Sequence, residues 1–119
     1  MNKILVPTDF SENAKHALSY AYELAKAMNA KIHLFHAYHI PYIHAEMPAG
    51  MYQTAINEAE QESKDEMEKL AKEVLKKGSS DAVEFEYDCK LGFAVEEILN
   101  QAEELDVDMI LMGTQGVNG

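Results

Sequence analysis

Four short apolar runs, separated by stretches with helical periodicity, constrain this chain more than any other feature. KILVP (3–7), AKIHLFHAY (30–38), VEFEYDC (83–89) and VDMILM (107–112) read as strands. The three segments between them carry apolar residues at three- and four-residue spacing, the signature of amphipathic helices. Strands that alternate with helices pair in parallel through right-handed crossovers. The expected fold class is therefore α/β, an open parallel sheet with helices on both faces. Over 119 residues that is a single domain.

Local chemistry supports each element. After the first strand, Ser11 is a candidate N-cap and Glu12 suits the positive end of a helix dipole. Ala14, Ala17, Leu18, Ala21, Tyr22, Leu24, Ala25 and Met28 then predict a helix over about 12–28 with a small-residue face. In the second strand Ile32, Leu34 and His36 share one face, while His33, Phe35 and Ala37 share the other. Apolar groups on both faces make it a central strand. A charged helix is expected over about 51–77, its stripe running through Ala55, Ile56, Ala59, Ser63, Met67, Leu70, Ala71, Val74 and Leu75, and Gly78 is a natural stop. A third helix, about 93–105, has Phe93, Ile98, Leu99, Ala102 and Leu105 as its apolar side.

Charge narrows the partners. With 10 basic and 21 acidic residues the net charge is −11, which argues against nucleic acid and against an anionic membrane surface. An anionic small ligand remains open, since backbone N–H groups and a metal ion can hold a phosphate. No apolar run is long enough to span a membrane, and the first apolar stretch meets Pro7 and Asp9 too soon for a signal peptide. The single Cys89 fits a reducing compartment and reads as a packing residue. The expected compartment is the cytoplasm.

In open parallel sheets ligands sit beyond the carboxyl ends of the strands. VPTDFS, HAYHIP and MGTQG should meet there. Asp9 is able to accept from ribose hydroxyls or reach a metal ion, and equally to cap the first helix. The backbone at Ala37 offers a donor and an acceptor to an adenine edge. Gly113 and Gly116 let the chain come close to a phosphate.

KILVPTDFSENAKHALSYAYELA, KIHLFHAY, LGFAVEEIL and VDMILMGTQGVNG together resemble the universal stress protein family along essentially the whole chain. The resemblance rests on a strand ending in V-P-T-D, an alanine-rich first helix, a strand ending in H-A, a G-x-x-x-x-E-I turn and D-M-I-L-M-G-T-x-G. It implies a parallel sheet of order 3-2-1-4-5, often paired as a homodimer. In one branch it implies ATP, expected with Mg²⁺, bound through G-x-x-G, a spacer and G-[S/T]. Carried over, Pro7, Thr8 and Asp9 would face the nucleotide, Ala37 would contribute backbone contacts to adenine, and Met112, Gly113 and Gly116 would begin the phosphate loop.

Two departures matter. Gln115 stands where family members often have His, and the G-[S/T] half is missing with the last helix and fifth strand. The expectation is a 1–119 domain of order 3-2-1-4, or the first part of a tandem protein, with triphosphate binding weakened and β-strand four left as an edge. The functional expectation is a nucleotide-binding regulatory module. The alternatives are an interaction domain that binds no nucleotide, through a homo-oligomer or a second domain of the same fold, and a slow ATP hydrolase. Four histidines, His33, His36, His39 and His44, tempt a metal reading, but His33 and His36 point to opposite faces of their strand, so no intrinsic metal site is expected.

Overall fold

The computed structural model describes residues 2–39, 47–78 and 83–113. Four strands, β1 (Asn2–Pro7), β2 (Ala30–Tyr38), β3 (Phe85–Leu91) and β4 (Met109–Ile110), alternate with three helices, α1 (Glu12–Met28), α2 (Ala49–Gly78) and α3 (Ala94–Leu105). All pairings are parallel and the order is β3-β2-β1-β4. The expected class and strand order hold.

β1 runs through the middle because it is apolar on both faces: Ile4, Leu5 and Val6 are all fully buried. One face, with Ile4, Val6, Ile32 and Leu34, packs against Leu18, Ala21, Tyr22 and Ala25 of α1 and Met67, Leu70 and Val74 of α2. The alternation turns Leu5, His33 and Phe35 to the opposite face, where α3 lies against β2. Cys89 is buried, donates to the Glu60 carbonyl at 3.8 Å, and burial pushes its thiol up. It is a packing residue, as its surroundings in the sequence imply.

The helix ends follow from local chemistry. Ser11 caps α1, its hydroxyl accepting from the Ala14 N–H at 3.1 Å, and Asn29 closes the helix in the left-handed conformation. Gly92 turns β3 into α3 at φ +155°, and a Cβ there would stand 2.8 Å from the Glu97 Cγ. Those contacts give the G-x-x-x-x-E spacing a physical reason: the glycine makes room for the glutamate. At the far end of α3, the Lys3 ammonium donates to the Leu105 carbonyl at 3.0 Å and the Lys3 N–H donates to Asp108 at 2.7 Å. These bonds tie β4 to β1.

Three expectations need correction. β3 is shifted two residues along the chain, because its ladder begins where Ile32 meets Phe85, Val83 lying buried just before it. β4 is two residues long rather than six, although Asp108 and Leu111 also donate to the Lys3 and Leu5 carbonyls. On α3 the expected apolar side is only partly the inward one: Ile98, Ala102 and Leu105 are half-buried beside Gln101, but the rest of that side is not. Phe93 and Leu99 are 72% and 60% exposed, while Gln101 is buried and donates to Asp88 at 2.9 Å. The side chain of Leu75 and residue His44 lie outside the described residues.

Replacing Ser11 with Ala should lower stability by about 1 kcal/mol in urea unfolding, with Ser11→Asp retaining most of it. A second expectation concerns His33, buried beside Glu86 (3.4 Å), with Lys31, Lys3 and Asp88 around it. Burial outweighs the pull of Glu86 and holds the imidazole below its usual value. The folded chain therefore resists a proton that the unfolded chain accepts. This penalty is absent well above the unfolded value of about 6.5, sets in as pH falls through it, and is complete below the folded value. His33→Gln should flatten the fall in the urea midpoint between about pH 7.5 and 5.5.

Candidate functional site

The carboxyl end of β1 turns in TDFS, and that turn is built almost entirely from its own side chains. The Thr8 hydroxyl accepts from the Phe10 N–H at 3.1 Å, and Asp9 Oδ1 accepts from the Ser11 N–H at 3.0 Å. Such two-residue bonds imitate a backbone turn and tolerate an unusual conformation within it. Phe10 is indeed left-handed, at φ 66°. The Thr8 N–H donates to the Phe35 carbonyl at 2.8 Å, so the turn is also pinned to β2.

β2 contributes a second clamp. His36 Nδ1 lies 2.8 Å from the Thr8 carbonyl. A carbonyl only accepts, so this nitrogen carries the proton, and the remaining nitrogen of the neutral ring is an acceptor. The Phe10 ring lies tilted against the imidazole with centroids 4.6 Å apart.

Beyond these strand ends lies a cavity of about 150 Å³, lined by Pro7, Thr8, Asp9, Ala14, Phe35, His36, Ala37, Ala94, Ile98, Met112 and Gly113. Six of the seven residues nominated from the sequence line it: Pro7, Thr8, Asp9, Ala37, Met112 and Gly113. The seventh, Gly116, lies outside the described residues, as does Gln115. The reasoning from sequence missed the far wall, Ala94 and Ile98 of α3. The Gly92 turn was the available signal, since it starts α3 at this end of the sheet.

The electrostatics are unusual for an anion site. Among the described residues no lysine or arginine lines this cavity, and Asp9 is part of its lining. Hydrogen bonding from the Ser11 hydroxyl holds the Asp9 carboxyl below its ordinary value against the opposing effect of burial, with the Ser11 backbone N–H adding to it. Asp9 is therefore a charged carboxylate near neutrality. Asp9 does not cap α1, a role that Ser11 fills; its Oδ1 accepts from the Ser11 N–H inside the turn. Among those residues no three His, Cys, Asp or Glu groups are placed to hold a metal ion.

Gly113 has a job that the sequence did not reveal. A Cβ on it would come 2.4 Å from the Asn13 carbonyl oxygen and 2.6 Å from its carbon, both backbone atoms of α1. The glycine lets the chain after β4 lie directly on the first turn of that helix.

Comparison with known proteins decides the family. The universal stress protein family model matches residues 1–119. The chain belongs to the universal stress protein family. Among curated members, the universal stress protein YxiE of Bacillus subtilis is 30% identical over 121 residues, covering 99% of this chain and 82% of the relative. The solved universal stress protein UspA of Lactobacillus plantarum superposes with a TM-score of 0.73 at 23% identity, covering 97% and 80% of the two chains. Another solved universal stress protein, described as a complex with cAMP, is 25% identical with a TM-score of 0.57, covering 92% of this chain and 69% of that one.

Gly113→Ala tests the packing directly. The new methyl must push α1 and the strand end apart, which should cost about 1–3 kcal/mol in unfolding free energy. It should also shift the amide resonances of Asn13 and Ala14, while the Gly50→Ala change, which meets nothing within 4 Å, should shift neither.

Proposed function

We propose that this universal stress protein binds an adenine nucleotide at the carboxyl ends of β1, β2 and β4, and acts as a nucleotide-dependent regulatory module of a stress response. The observation that carries the reading is the convergence of Pro7, Thr8, Asp9, Ala37, Met112 and Gly113, nominated from separate segments, on one largely apolar cavity. A flat heteroaromatic base suits such a lining, with backbone groups at Ala37 reading its edge. Asp9 is suited to the ribose hydroxyls. A phosphate tail meets no cationic side chain among the described lining residues, so its charge falls to backbone N–H groups and a divalent cation such as Mg²⁺. The family relative described in complex with cAMP supports the same ligand class.

One observation favours a second reading, an interaction domain of the same fold. Phe93, Val95 and Leu99 leave the apolar side of α3 open, and Ile110 and Met112 of the β4 segment are also exposed. Such a domain would self-associate and be silent towards nucleotide.

Titration calorimetry with Mg·ATP, Mg·AMP and cAMP separates the two. Saturable binding is expected, and Asp9→Asn should weaken it about tenfold by removing a charge-assisted bond to the ribose while keeping the acceptor that the turn needs. The proposal fails if purified protein releases no adenine nucleotide on denaturation and shows no thermal shift with Mg·ATP.

A further inference from the structure

β3 ends the sheet, so one side of it has no strand beside it among the described residues. Its ladder with β2 fixes which backbone groups face that side. The Glu84 carbonyl accepts from the Ile32 N–H, and the Gly92 N–H donates to the Tyr38 carbonyl. With Ile32 level with Phe85 and Tyr38 level with Leu91, the even-numbered residues from Glu84 to Gly92 bond inward. Phe85, Tyr87, Cys89 and Leu91 therefore turn their N–H and C=O groups outward. Such a row is a template for another strand. We propose that it is a docking edge for a second copy of this chain, held closed by Asp88.

Asp88 closes the edge at its middle. On the α3 side of the strand its Oδ2 accepts from Gln101 Nε2 at 2.9 Å, while Oδ1 accepts from the Cys89 N–H, also at 2.9 Å. That N–H is one of the outward donors, and a carboxylate is a stronger acceptor than an incoming carbonyl. A strand cannot pair across Cys89 until the bond opens. Gln101 is what holds the carboxylate in place. It is 3% exposed, and its Oε1 is the one buried side-chain polar atom without a partner among the described residues. A leucine at this position would leave nothing unpaired. What the amide adds is its grip on Asp88.

The residues along the edge select a second copy as the occupant. Consider an antiparallel pair with its two-fold axis at Cys89. Tyr87 then faces the partner's Leu91 and Asp88 faces the partner's Lys90, and the axis repeats both contacts. Tyr87 and Leu91 are each 37% exposed, so their contact removes apolar surface from water. Asp88 and Lys90 bring opposite charges to directly opposed positions, which favours the pair. Lys90 is otherwise held by an exposed ion pair to Glu104 at 3.6 Å. An axis at Tyr87 would instead set Glu86 against the partner's Asp88, a like-charge pair. Opening the latch thus frees the Cys89 N–H and releases Asp88 to meet the partner's Lys90.

Gln101→Leu loosens the latch while keeping the Asp88 charge, and Asp88→Ala removes the latch itself. Sedimentation follows self-association, and hydrogen exchange of the Tyr87, Cys89 and Leu91 amides follows the edge. In the dilute parent the Cys89 amide should be protected and the other two should exchange freely. Gln101→Leu should tighten self-association about tenfold, all three amides becoming protected as concentration rises. Asp88→Ala should tighten it by only about threefold, because it also loses the contact with Lys90. Lys90→Glu added to Gln101→Leu should return association to the parent level. Glu86→Gln, which removes a charge from the same strand and leaves the Cys89 N–H occupied, should change it by less than about twofold. The proposal fails if neither Gln101→Leu nor Asp88→Ala associates more tightly than the parent. It fails equally if the Tyr87 and Leu91 amides are already protected in the dilute parent, or still exchange freely in the associated variants, as they would if association ran through α3 or β4.

Discussion

Everything in this domain hangs on the parallel pairing of β1 between β2 and β4. Ile4, Leu5 and Val6 are sealed from solvent on both faces, and a strand buried on both faces must have each backbone group paired. That requirement sets the register with Ile32 through Leu34 on one side and with Met109 and Ile110 on the other. It also decides where the chain leaves the sheet. Pro7 closes the strand opposite Phe35, and the TDFS turn begins there. The cavity owes its position to that exit.

The sequence was most legible where chemistry acts over a few residues. α1 was readable to the residue, because Ser11 caps it by a bond to Ala14 and its small apolar residues recur on one face. β2 was readable because apolar side chains fill both of its faces. The cavity residues were readable for a different reason, namely that strand ends in a parallel sheet converge whatever their sequence separation. Asp9 and Gly113, more than a hundred positions apart, line the same space.

What escaped was whatever depends on a neighbour from a distant element. Hydrophobic spacing in α3 marked Phe93 and Leu99, but the sheet receives Gln101, because Asp88 on β3 offers the amide a partner. Spacing records which residues are apolar; it does not record which side meets the sheet. Alternation in VEFEYDC marked a strand two residues early, since Val83 is buried without joining the ladder. The contact between Gly113 and Asn13 was invisible for the same reason, and a glycine that suggested phosphate proved to serve packing as well.

That contact has a mechanical consequence. Because Gly113 rests directly on the Asn13 backbone, the chain at Gly113 cannot move towards α1 without the first turn of that helix yielding. The same turn is tied through Ser11 to Asp9. Two residues that line the cavity thus meet the start of a seventeen-residue helix, Gly113 by steric contact and Asp9 by a hydrogen bond to Ser11. In a domain with so few layers, α1 is the lever by which occupancy of the sheet's carboxyl edge would become a change of outer surface.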